Sequence, residues 1–192
     1  VNNEGVIEIG SNAAVSGEGI RLEGNTFNNK PGGSIQIDQT GSQAIRLINS
    51  GTILNNESLI EIGSLSDVRG NGINAGSFSN NATGVISIEK PWGNGIWNVS
   101  GTFQNAGKIT ISNIFYFEDG EFSTGILSTA PFSNHAGAEI RIDQVASGII
   151  STRAFTNAGL IRMGENAPLV GSGIANIQGA NAVFNNNAGG DI

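Results

Sequence analysis

One phrase recurs along the chain: a large apolar residue, one variable residue and an asparagine. It occurs eight times, at Val1-Asn2-Asn3, Phe27-Asn28-Asn29, Ile53-Leu54-Asn55, Phe78-Ser79-Asn80, Phe103-Gln104-Asn105, Phe132-Ser133-Asn134, Phe155-Thr156-Asn157 and Phe184-Asn185-Asn186. Successive copies stand 23 to 29 residues apart, averaging about 26, a length suited to one coil of a solenoid. Each of the first seven copies leads into a pair of apolar residues separated by one polar residue. The pairs are Ile7/Ile9, Ile35/Ile37, Ile60/Ile62, Ile86/Ile88, Ile109/Ile111, Ile140/Ile142 and Ile161/Met163. A period of two with β-branched residues predicts a strand with one buried face. The residues between the pairs are Glu8, Gln36, Glu61, Ser87, Thr110, Arg141 and Arg162, all polar, as an outward face requires.

A second phrase falls mid-repeat, a small residue followed by Ile, as at Gly19-Ile20, Ala44-Ile45, Gly72-Ile73 and Gly95-Ile96. A third short strand leads into the large residue, as in Gly76-Ser77-Phe78 and Gly101-Thr102-Phe103. No segment has helical length or period. The pattern therefore predicts an all-β fold, a parallel β-helix (β-solenoid) with three short strands per coil and about seven coils. At about 4.8 Å per coil the rod would be roughly 35 Å long. The crossover preference favours the right-handed form. Like residues then stack in columns: Ile ladders, a Phe column, and an asparagine ladder at one corner made of Asn3, Asn29, Asn55, Asn80, Asn105, Asn134, Asn157 and Asn186. A β-sandwich does not need one fixed period. A leucine-rich repeat would show Leu-x-x-Leu-x-Leu, and a calcium-binding nonapeptide repeat needs an Asp in each Gly-rich turn; the chain has neither. Residues 1–192 read as a single β-solenoid segment. A solenoid without polar caps exposes strand edges, so the segment is expected to be an excerpt of a longer repetitive chain or a unit stacked in a fibre. Any targeting segment is expected to lie outside it.

Composition narrows the function. Net charge is −7 and the pI about 4.6, which disfavours nucleic acid as a partner. The absence of Cys removes disulfides and thiol chemistry, and His135 is the sole histidine, so no metal or other cofactor is expected. No apolar run has the length of a membrane span, so direct membrane insertion is not expected.

The phrase Gly-Thr-Phe-x-Asn-x-Gly-x-Ile-x-Ile, seen from Gly101 to Ile111, resembles the β-helix repeats of large secreted bacterial surface proteins. These include autotransporter passengers, filamentous-haemagglutinin-like adhesins and giant repeat surface proteins. The resemblance covers the whole chain and implies the same right-handed solenoid. It also implies an extracellular location at the bacterial cell surface, and a structural or adhesive role as stalk, filament or adhesin. Implied partners are neighbouring segments of the same protein or a homo-oligomeric filament, with cell-surface glycans as further ligands. It carries no catalytic residues over.

Catalytic β-helices need carboxylates facing each other on adjacent coils. Here Gln36 separates Glu8 from Glu61, and Asp38 is followed at its phase by Gly63, Glu89 and Ser112, so no catalytic residue is expected. The densest acidic group is Glu118, Asp119 and Glu121, beside Tyr116 and Phe117 in a long coil. It reads either as a bulge folded onto the solenoid or as a protruding contact site. Trp92 and Trp97 flank Gly93-Asn94-Gly95. With Tyr116 and the acids they form the candidate glycan-binding set for the alternative reading, a carbohydrate-binding or polysaccharide-processing module. A hydroxyl file at Thr26, Thr52, Ser77 and Thr102 raises a third reading, an ice-binding face. Its neighbouring file, Asn28, Leu54, Ser79 and Gln104, is irregular. Arg141, Arg153 and Arg162 late in the chain oppose Glu4, Glu8, Glu18 and Glu23 early in it, a charge asymmetry suited to head-to-tail stacking.

Overall fold

A computed structural model describes residues 1–49, 51–114, 123–176 and 183–192. The described residues form 22 short strands in three parallel sheets of eight, seven and seven strands. Every third strand joins the same sheet, so the chain winds through about seven coils of a β-solenoid, as the periodicity predicts. The first sheet carries the Phe and Asn phrase, the second the Ile pairs, and the third the mid-repeat Ile. Side chains alternate in and out along each strand, as a pleat requires.

Columns run the length of the interior. On the second sheet Ile35, Ile60, Ile86, Ile109, Ile140 and Ile161 stack in register, and all are fully buried. On the third sheet Ile45, Ile73, Ile96, Ile126 and Ile149 do the same. On the first sheet Phe103 lies 4.3 Å from Phe132, and Phe132 lies 4.5 Å from Phe155, rings nearly parallel. The backbone closes in where the third sheet begins. A Cβ on Gly95 would lie 2.7 Å from the Gly125 carbonyl and 2.7 Å from Ile111 Cγ2, so this place takes only the smallest residues.

The asparagine ladder differs from the expected set at one rung. Each Asn Nδ2 donates to the Oδ1 one coil later, through Asn3, Asn29, Asn56, Asn80, Asn105, Asn134, Asn157 and Asn186, at 2.8–2.9 Å. The third rung is Asn56. Asn55 faces outward, where its Nδ2 donates to Asn28 Oδ1. The whole strand is shifted by one residue against the reading from sequence. Leu54 fills the Phe column, and Ile53 stands in the outer file between Thr26 and Ser77. Parity is the reason. From ladder Asn to first buried Ile the step is four (Asn3 to Ile7, Asn105 to Ile109, Asn157 to Ile161) or six (Asn29 to Ile35, Asn80 to Ile86, Asn134 to Ile140). An even step keeps both residues on the inner side of a backbone with period two. Asn56 to Ile60 is four, whereas Asn55 would give five.

The same spacings reveal a repeat of two coils. At the first corner, odd coils take the four-residue step and even coils the six-residue step. The longer turns close on themselves through Gly33 N–H to Lys30 O, Gly84 N–H to Asn81 O and Ala138 N–H to His135 O. At the second corner the order reverses. Ile9 to Ile20, Ile62 to Ile73 and Met163 to Ile174 are eleven residues, while Ile37 to Ile45 and Ile88 to Ile96 are eight and Ile142 to Ile149 seven. Coils lie only about 4.8 Å apart, so two long loops side by side would collide. Alternation gives each loop the width of two coils. Removing residues 54–102 deletes one full pair of coils. Removing 78–102 deletes a single coil and sets two long second-corner loops side by side. The pair deletion is expected to fold into a rod shorter by about 10 Å in small-angle scattering. The single deletion is expected to melt at a lower temperature than the pair deletion. Equal melting would mean that the alternation has no energetic content.

Candidate functional site

The second corner carries a surface groove. Exposed loop residues of the first coil (Ala14, Ser16) and loop residues of the third (Ser66, Asp67, Arg69) stand on either side of the shorter second coil. Gln39, Thr40 and Gly41 of that coil make the floor, and Trp92 of the fourth coil closes one end. The space is about 470 Å³. The Arg69 guanidinium carbon lies 5.4 Å from the centre of the Trp92 ring, a cation–π arrangement.

Asp38 holds the third-coil loop in place. It is fully buried, and its Oδ1 accepts from the Leu65 N–H at 2.9 Å and the Ser66 N–H at 3.4 Å. Asp143 does the same four coils later: Oδ1 accepts the Asn166 N–H at 3.2 Å, and Oδ2 accepts the Asn166 side chain at 2.8 Å. An even-coil aspartate thus fastens the long loop of the next odd coil, a role invisible while Asp38 is read only as a candidate acid.

The candidate set is divided by the fold. Trp92 sits in the second-corner groove. Trp97 sits on the outer face of the third sheet, paired in register with Asn74 and Leu127 and lining a separate hollow with Arg46. The two indoles share no surface, because a corner and a strand start lie between them. Tyr116, Phe117, Glu118, Asp119 and Glu121 lie outside the described residues.

The hydroxyl file is also rearranged. Thr52 is fully buried. Its hydroxyl donates to the Ile48 carbonyl and accepts the Gly24 N–H at 2.8 Å. The outer file runs Thr26, Ile53, Ser77, so Ile53 interrupts the hydroxyls on which an ice-binding face would rest. The neighbouring file takes Asn55 in place of Leu54 and reads Asn28, Asn55, Ser79, Gln104, Ser133, Thr156.

Of the early and late charges, Glu18, Glu23, Arg141 and Arg162 are paired locally. Arg46 meets Glu18 at 2.7 Å, Arg141 meets Glu139 at 2.6 Å, and Arg162 meets Glu165 at 2.7 Å. The hydrogen bonds that Arg21 donates to Glu23 and Arg141 donates to Glu139 raise both guanidinium pKa values further above their ordinary range. Arginines 141 and 162 are therefore matched within their own face, which weakens the charge asymmetry seen in sequence. Among the described residues no three acidic or histidine side chains converge as a metal site.

No family model, curated protein or solved structure matches the chain. The reading of function consequently rests on the residues themselves.

Proposed function

We propose that the chain is a structural and adhesive module of a large extracellular β-solenoid protein at the bacterial cell surface, serving as a stalk, filament or adhesin. One observation supports this most: the interior repeats in every coil while the outside does not. The asparagine ladder and the Ile columns run from coil to coil without a break. The outward file beside the Ile pairs changes from Glu8, Gln36 and Glu61 to Arg141 and Arg162. Such a scaffold spans distance by adding coils, each stabilised by its neighbours, and leaves its surface free to carry contacts. An antiserum against the chain tests the location. It is expected to label intact source cells; labelling only after permeabilisation would overturn the surface role.

A second reading, carbohydrate binding, is favoured by the groove at the second corner. It is compatible with the first, since a surface module that holds glycans is an adhesin.

A further inference from the structure

We infer that the groove over the second coil binds an uncharged sugar, one or two pyranose rings long. The inference deepens the carbohydrate-binding reading and names its ligand class and its residues.

The groove is a consequence of the two-coil repeat. Long loops on the first and third coils make its walls, and the short second coil makes its floor. A second hollow occupies the equivalent place over the sixth coil, between Ile114 of the fifth and Pro168 and Val170 of the seventh. That hollow is mainly apolar. The groove over the second coil has a different chemistry, and it matches a sugar.

A pyranose presents hydroxyls that both donate and accept, and C–H patches between them. The Asp67 carboxylate on one wall accepts from a pair of neighbouring hydroxyls, and Arg69 donates to a third oxygen. Neither side chain has an ion-pair partner among the described residues, whereas Arg21, Arg46, Arg141 and Arg162 are each bound to a glutamate. Arg69 is exposed yet held against Trp92, so less side-chain freedom is lost when it takes a ligand. Ala14 and Gly41 supply the apolar patches, and Ser16 and Gln39 further hydrogen-bonding groups. A volume of about 470 Å³ lies within the range of small-ligand sites.

Charge decides between neutral and acidic sugars. Asp67 and Arg69 balance each other at the rim, so the groove itself selects neither sign. The chain as a whole carries −7, which opposes the approach of uronates or sulfated chains. Asp38 acts as a positioning residue, since it fixes the loop that carries Asp67 without lining the groove.

The test is a titration of the ¹⁵N-labelled chain with cellotriose, mannotriose and chitotriose, each to about 10 mM, the range in which weak sugar sites bind. At least one trisaccharide is expected to shift the Trp92 indole N–H and Arg69 Nε–H signals and leave that of Trp97 in place. Arg69→Ala and Asp67→Asn are expected to weaken that binding about tenfold, and Thr156→Ala on the first sheet to leave it unchanged. Ala14→Leu fills the groove from an exposed position and is expected to abolish the shifts. It serves as the second variant should either rim substitution impair folding. Absence of shifts with all three trisaccharides overturns the site. So do shifts undiminished in the rim and filling variants, and so does tighter binding of trigalacturonate than of the neutral trisaccharides. Failure here leaves the surface-module reading standing, because labelling of intact cells judges that separately.

Discussion

Phe103→Ala is expected to destabilise the protein by about 3–5 kcal/mol, the range for emptying a large buried aromatic site. Phe103 is fully buried, with Phe132 stacked at 4.3 Å on one side and Phe78 tilted at 5.0 Å on the other. Collapse around the missing ring is resisted from both directions. The strands above and below are fixed at sheet spacing by parallel hydrogen bonds, and Phe78 and Phe132 are each held in the column by their own strand. The cavity therefore persists, which places the cost at the upper end for this kind of change. Because each coil touches only its neighbours, the damage also divides the rod. Urea unfolding followed by circular dichroism is expected to show a second step in the variant, as the two sides of the fifth coil lose their coupling. Phe184→Ala, at a half-exposed end of the same column, is expected to cost less than half as much. A loss below about 1 kcal/mol at Phe103 would mean that the column is not the packed core described here.

Asn56→Leu and Asn55→Leu form a pair of neighbouring substitutions with very different expected effects. Asn56 is fully buried. Its Oδ1 accepts from Asn29 at 2.8 Å, and its Nδ2 donates to Asn80 Oδ1 at 2.9 Å and to the Ser58 carbonyl at 2.8 Å. Leucine has similar bulk but leaves Asn80 Oδ1 without this donor and one Asn29 Nδ2 hydrogen without its acceptor, both in the buried ladder. Each buried orphan costs about 1–3 kcal/mol, so the expected loss is about 2–5 kcal/mol. Asn55 faces outward and gives up one bond, to Asn28 Oδ1 at 2.9 Å. Its substitution is expected to stay within about 1 kcal/mol. Comparison of urea midpoints at equal slope measures both. If Asn55 proved the costlier position, the register of the third coil would be wrong, and the outer polar file with it.

That coil also shows where reading by phrase reaches its limit. Thr52-Ile53-Leu54-Asn55-Asn56 contains the phrase in two frames, because two asparagines stand side by side. Matching residue types chose the earlier frame. The parity of the step to Ile60 selects the later one, and that signal was present in the sequence. The two-coil repeat was present too, in the alternation of four- and six-residue steps, but the averaged spacing of about 26 conceals it. The groove is less legible. Its residues come from positions 14 to 92, and only winding brings four coils to one corner. Trp92 and Trp97 illustrate the converse. Five residues apart, they read as one patch, yet the turn between them sends each to a different surface.

The amino-acid sequence by itself determined the all-β class, the three strands per coil and the residue types of the buried columns. Those follow from period-two alternation and from like residues recurring at coil length, and both are local properties of the chain. Only the tertiary structure decided which loops stand side by side, that Asp38 fastens the loop of the following coil, and that Asp67, Arg69 and Trp92 share one groove. The contacts from Asp38 to Leu65 and from Arg69 to Trp92 join residues more than twenty positions apart, and they depend on how each loop fits over its neighbour, a matter of packing that no local period encodes.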